Sequence, residues 1–249
     1  QMTKGLKLNY DNWTVAPDNR IVYSNNQKGF FIDGLNLSHK KEQIKIQSND
    51  TVFNSPFDIL IKNFTLANLT KMISKDTLIA DGILSADINL DLRDAYPKIV
   101  GNVQVDSLSV LENKQGSLFS NIQNPDKDKY DINANLIGND NNIQAKGYYF
   151  TKPQLGNDMD IDVFIHSYTM KTIEGFSFGN LKNSNGSLLG KLKVNGTIQT
   201  PLVTGYIQTK DVQTTLSAFN TLMKMPNEKI DFISGMGLRF KNFEILDRL

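Results

Sequence analysis

The sequence repeats itself, and the repeat is written in apolar alternation. Residues 57–108 lie over residues 161–212 without a gap, a shift of about 104 residues. Gly82 falls on Gly186, Pro97 on Pro201 and Gly101 on Gly205, while Asp58, Ile61 and Thr65 meet Asp162, Ile165 and Thr169. Between these landmarks the alternation stays in phase, with Ile88 and Leu90 on Leu192 and Val194, and Val103 on Ile207. A one-residue slip would turn every apolar side chain to the other face of a strand, so phase is a constraint of its own. Doubling the shift places residues 29–37 over 237–245. A long repetitive β-structure leaves such a period behind, and it works through a continuous surface rather than one pocket.

The strands read clearly. Residues 158–166, 86–92, 130–136 and 191–195 alternate between an apolar face and a face of Asp, Asn or Lys, the pattern of an antiparallel sheet wetted on one side. Turn chemistry separates them at residues 17–19, 24–26, 138–142 and 183–186, and residues 124–129 read as a polar loop. Helical spacing is confined to Leu66–Ile73 and Leu216–Met223, the second stopping at Pro226. Two short helices cannot cover the apolar faces of roughly 15–20 strands.

A sheet of more than about ten strands curls, splits or closes on itself. A sandwich, a barrel and a sheet folded lengthwise into a trough all satisfy the pattern. A repeat with no cap and no domain boundary favours the trough. The expected fold is therefore all-β: one continuous segment over residues 1–249, a long antiparallel-rich sheet folded into an open hydrophobic groove, with two or three short helices. Joined in one sheet, the strands would extend about 80–90 Å.

Composition narrows the chemistry. The 27 basic and 26 acidic residues are interspersed and 39% of the chain is hydrophobic, so there is no nucleic-acid footprint. Without cysteine, disulfides and thiolate metal sites are excluded. No stretch approaches about 18 consecutive apolar residues, as a spanning helix requires. The chain opens on Gln1 and stops at Leu249 after an apolar strand, which reads as an excerpt of a longer protein.

No catalytic constellation, metal site or cofactor motif emerges. His39 and His166 have no partner at dyad or ligand spacing, and Gly235-Met-Gly237 reads as a turn or bulge. Asp158, Asp160 and Asp162 share one strand face at about 7 Å intervals, too far apart for one ion. What remains is the apolar stripe: Ile59, Ile61, Ile88, Leu90, Val103, Val105, Ile132, Leu136, Ile161, Val163, Ile165, Leu192, Val194, Ile207 and Phe240. It is either the core of an ordinary sandwich or the lining of a groove that holds lipid chains.

Two stretches resemble the recurring unit of TamB-type proteins. One is Trp13-Thr-Val-Ala-Pro-Asp-Asn-Arg-Ile21 with the strand that follows, Phe30–Leu37. The other, Gly186-Ser-Leu-Leu-Gly-Lys-Leu-Lys-Val-Asn-Gly-Thr-Ile-Gln-Thr-Pro-Leu-Val-Thr-Gly205, resembles that family's Gly-x-Leu-x-Gly-x-Leu-x-Val-x-Gly-Thr element. Residues 229–232 and 240–247 resemble the strand pair after it, whereas Ala86 and Leu92 depart from the glycines at 190 and 196. The resemblance implies an AsmA-like bridge protein of a Gram-negative envelope, and the Asn- and Lys-rich composition suits a Bacteroidota member. Such proteins are anchored in the inner membrane, cross the periplasm as a folded sheet (a β-taco) and meet an Omp85-type, TamA-like outer-membrane partner. The implied function is conduction of phospholipid by its acyl chains along the groove, with a role in outer-membrane protein assembly, and not enzymatic. The alternative is a structural or protein-assembly β-repeat with a closed apolar core.

Overall fold

The computed structural model describes residues 6–8, 11–26, 28–73, 78–154, 157–233, 237–240 and 246–247. The short first strands are β1 (Leu6–Leu8), β2 (Asp11–Val15), β3 (Arg20–Ser24), β4 (Gly29–Asp33), β5 (Leu35–His39) and β6 (Glu42–Ser48). A first long group follows: β7 (Phe57–Thr65), α1 (Leu66–Ile73), β8 (Ala80–Asp91) and β9 (Lys98–Val110). The meander β10 (Asn113–Asp126), β11 (Lys129–Gly138) and β12 (Asn141–Gln154) leads to a second group. That group is β13 (Asn157–Thr169), α2 (Met170–Phe176), β14 (Leu181–Gly196) and β15 (Pro201–Leu216). The chain continues as β16 (Thr221–Met225), β17 (Lys229–Ile233), β18 (Gly237–Phe240) and β19 (Leu246–Asp247).

Seventeen of these strands belong to one antiparallel sheet, and β3–β4 form a separate hairpin. Pairing runs β1–β2–β5–β6 and then in chain order to β15. There the sheet forks: residues 212–216 of β15 pair with β16, and residues 205–208 with β17. The sheet is open. Among the described residues, no helix is long and apolar enough to cross a membrane.

The group β7–α1–β8–β9 recurs 104 residues later as β13–α2–β14–β15, with both helices starting directly after a threonine, Thr65 or Thr169. The bulges recur too. Ser107 and Asp211 both adopt left-handed backbone, at φ 53° and 50°. Register shifts sit between Ile61 and Phe64 in β7 and between Ile165 and Tyr168 in β13. A bulge bends its strand and raises the local twist, so this line of bulges coils one end of the sheet. Of residues 237–245, only 237–240 of the doubled shift are described, as β18; 241–245 lie outside the described residues.

Two expectations are corrected. Residues 216–223 form no helix: β15 ends at Leu216, a turn follows, and β16 pairs back from Thr221. The ladder with β15 satisfies backbone groups that a two-turn helix would leave open at its ends. Residues 124–129 are not a free loop either, because β10 and β11 pair out to Asp126 and Lys129 around a two-residue turn. Helix α2 is a helix that the periodicity missed; Thr172 and Gly175 interrupt its apolar pattern.

Buried side chains gather in islands where strands end. Trp13, 2% exposed, stacks at 5.7 Å on His39 and at 5.9 Å on Phe64. Where the β3–β4 hairpin meets the sheet, Phe30 packs on Phe57 at 6.0 Å and Phe31 on Phe53 at 5.5 Å, and Ser48 Oγ and Gln47 Oε1 hold the hairpin by accepting from Ile32 N and Gly34 N. A third surrounds Met170 on α2.

Earlier strands tie down the residue before each helix, and Thr169 itself caps α2 by accepting from Thr172 N. Glu42 Oε1 accepts from Thr65 N at 2.7 Å, and Asn141 Oδ1 accepts from Thr169 N at 3.0 Å. Asn141, 2% exposed, also donates to Gln115 O at 2.9 Å and to Thr172 Oγ1 at 3.1 Å. Asn141→Ala strands these buried partners and lowers stability by about 2–3 kcal/mol in urea unfolding, whereas Asn142→Ala, on an exposed neighbour, stays within about 0.5 kcal/mol.

Candidate functional site: the apolar face of the sheet

Residues directly opposite one another in a ladder share a face. Following the pairs across the strands gives one unbroken row: Val15, Leu37, Ile44, Ile61, Ala86, Val103, Ser120, Ala134, Ala145, Val163, Leu192, Gly205, Phe232, Leu238. Two residues along the strands, toward their other ends, runs a second row: Leu35, Ile46, Ile59, Ile88, Gly101, Ile122, Ile132, Gly147, Ile161, Val194, Val203. On the opposite flank lies a third: Phe64, Leu84, Val105, Leu118, Leu136, Ile143, Ile165, Gly190, Ile207, Ile230, Phe240. Ser120 is the one polar member of the three rows.

All fifteen stripe residues lie on this face, Leu90 in a fourth, shorter row with Phe57 and Ile99. Thirteen of them are half-buried; Val105 is buried at 5% exposure and Phe240 stands out at 49%. A side chain in the dry core of a sandwich is sealed from both sides, so partial exposure along a whole apolar face marks a surface without a second layer. The face also holds Ile44, Leu84, Leu118, Ile122 and Ile143. For Ile44, Leu84 and Ile143 the signal is in the sequence, as alternation with Gln43 and Lys45, with Ser85, and with Asn142 and Gln144; Leu118 and Ile122 are placed by pairing with strands already assigned.

Gly101 and Gly205 carry no side chain for a steric reason. A Cβ on Gly101 would meet Asp87 O and stand 2.7 Å from Ile88 Cα, and one on Gly205 would meet Lys191 O and stand 3.0 Å from Leu192 Cα. Gly205 has φ 119°, outside the range of other residues. At both positions neighbouring strands cross closely, as glycine kinks in curved sheets do.

The opposite face is polar. Its row through Asp87, Asn102, Asn121, Asn133, Lys146, Asp162 and Lys193 runs parallel to the apolar ones. Here Lys193 Nζ lies 2.6 Å from Asp160 and 3.9 Å from Asp162. The hydrogen bond to Asp160 and the two negative charges raise the Lys193 ammonium above its ordinary range. Asp160 and Asp162 thus serve a solvated ion pair, and no His, Asp or Glu cluster fit for a metal occurs among the described residues. Further along, hydrogen bonds from Lys229 and then Arg239 hold the Asp231 carboxyl below the usual carboxylate range. His39 and His166 lie on β5 and β13, far apart in the pairing order. His39 Nδ1 bonds to Asn12 O at 2.9 Å, a structural contact.

No protein-family model, curated protein or solved structure matches this chain.

Proposed function

We propose that this chain is a segment of a periplasm-spanning, TamB-type bridge protein whose apolar face carries phospholipid acyl chains between the inner and outer membranes. The observation behind this reading is the continuity of the three apolar rows together with their half-exposure. Carrying one acyl chain through water exposes about 0.8 kcal/mol per CH₂, more than about 10 kcal/mol for an ordinary chain. Folding the open sheet lengthwise into a groove would let Ile, Leu, Val and Phe side chains remove most of that barrier. Like rows offer like contacts on every strand, so a chain can slide without falling into a deep site, and head groups stay at the wet side. Conduction needs no catalytic group. The membrane anchor, the Omp85-type partner and a role in outer-membrane protein assembly belong to the whole protein in this reading.

The test uses photo-crosslinking amino acids at Leu192 and Val194, on the apolar face, and at Lys193 between them on the polar face. Phospholipid is captured from positions 192 and 194 and not from 193. Capture only from 193, or protein adducts in place of lipid at 192 and 194, sinks the proposal; protein adducts there indicate the assembly scaffold.

A further inference from the structure

The polar face carries a concavity of about 410 Å³ between β7 and β11, walled by Leu60, Asp87, Asn102, Gln104, Phe119, Asn121, Asn133 and Asn135. Two adjacent rows supply it: Asn102, Asn121 and Asn133 in one, and Gln104, Phe119 and Asn135 in the next. Carboxamides therefore ring one aromatic side chain. Asn121 Nδ2 donates to Asn102 Oδ1 at 2.9 Å, and Gln144 Nε2 to Asn135 Oδ1 at 2.9 Å, which fixes the orientation of three of these amides. Asn133 Oδ1 is buried beneath this surface without a hydrogen-bond partner.

Phe119 differs from three other rings on this face. Lys129 covers Tyr148 at 4.2 Å, Lys191 covers Phe164 at 4.9 Å and Lys229 covers Tyr206 at 4.7 Å. Among the described residues no cation lies over Phe119, which is 40% exposed. A small concave site lined by an open ring and groups that both donate and accept fits a ligand with an apolar C–H face and a rim of hydroxyls.

We propose that this concavity binds a neutral saccharide, with Phe119 stacked on the sugar ring and the Asn102, Asn121, Asn133 and Asn135 amides holding its hydroxyls. A charged ligand is disfavoured, because Lys62 and Asp87 place opposite charges at the edge. The site lies on the face opposite the apolar rows and stands independently of lipid conduction.

The test titrates chitotetraose and cellotetraose into the isotopically labelled full chain and follows the Asn side-chain amide resonances. Saturable shifts at Asn102, Asn121, Asn133 and Asn135 with at least one of the sugars are expected. Phe119→Ala weakens binding about tenfold, Phe119→Trp keeps it, and Tyr206→Ala on the same face leaves it unchanged. Asn102→Ala, which keeps the ring, also weakens binding and gives a reading should Phe119→Ala fail to fold. Absence of saturable shifts with both sugars, or equal binding by the wild type and these variants, overturns the proposal. Lipid capture at position 192 is unaffected in either case.

Discussion

Leu192→Glu leaves the protein folded and abolishes phospholipid capture. Leu192 lies between Val163 and Gly205 in the longest apolar row and is half-buried. On a face without a second layer, the new carboxylate keeps contact with water, and the change costs the partial burial of one leucine, about 1–2 kcal/mol. In a closed, dry core the same carboxylate would be stripped of water at a cost of several kcal/mol and would unfold the sheet. Circular dichroism reports the fold, and crosslinking from a probe at Val194 reports lipid. Loss of the sheet signal is the result that a sealed core demands and that the proposed conduit forbids. Retained lipid capture in a folded variant would equally count against the conduit, because a charge in the path of an acyl chain blocks it.

Trp13→Ala lowers stability by about 3–5 kcal/mol, the largest loss expected of any single side chain here. The indole is almost fully enclosed and fills the corner where β2 meets His39 of β5 and Phe64 of β7. Its Nε1 has no hydrogen-bond partner, so the loss is one of packing alone. Trp13→Phe therefore recovers part of the stability. The measurement is the urea midpoint followed by circular dichroism, since Trp13 is the chain's one tryptophan and the variant loses that fluorescence. An alanine variant with an unchanged midpoint would show that the islands at the strand ends are not what holds the sheet. The two substitutions thus separate the side chains that hold the fold from the face available for work.

Helix α1 was legible because Leu66, Leu69, Met72 and Ile73 fall at helical spacing between a threonine and a polar stretch. The same spacing misled at 216–223. Phe219, which would have faced a core, is 76% exposed in a turn with Asn220 at φ 50°. Pairing with residues 212–216 of β15 decided that segment, and no local pattern contains that partner. The bonds that tie down the residues before the helices were illegible for a similar reason: Glu42 and Asn141 reach Thr65 and Thr169 from 23 and 28 residues away.

The sequence by itself determined which residues of each strand turn to the same side, because alternation is a local property of extended backbone. It also determined the order of strand, helix and two strands in the first repeat, but not α2 in the second, whose apolar pattern Thr172 and Gly175 interrupt. Only the tertiary structure decided how the repeats meet. Six strands across from Ile61, the residue in line is Val163, not its sequence equivalent Ile165. The second repeat is therefore offset by two residues, about 7 Å along the strands. Because the step is two and not one, the apolar face stays on one side while the sheet shears. Bulges, glycines and turn lengths accumulate that offset over the three strands of the meander, which lie outside the aligned repeat.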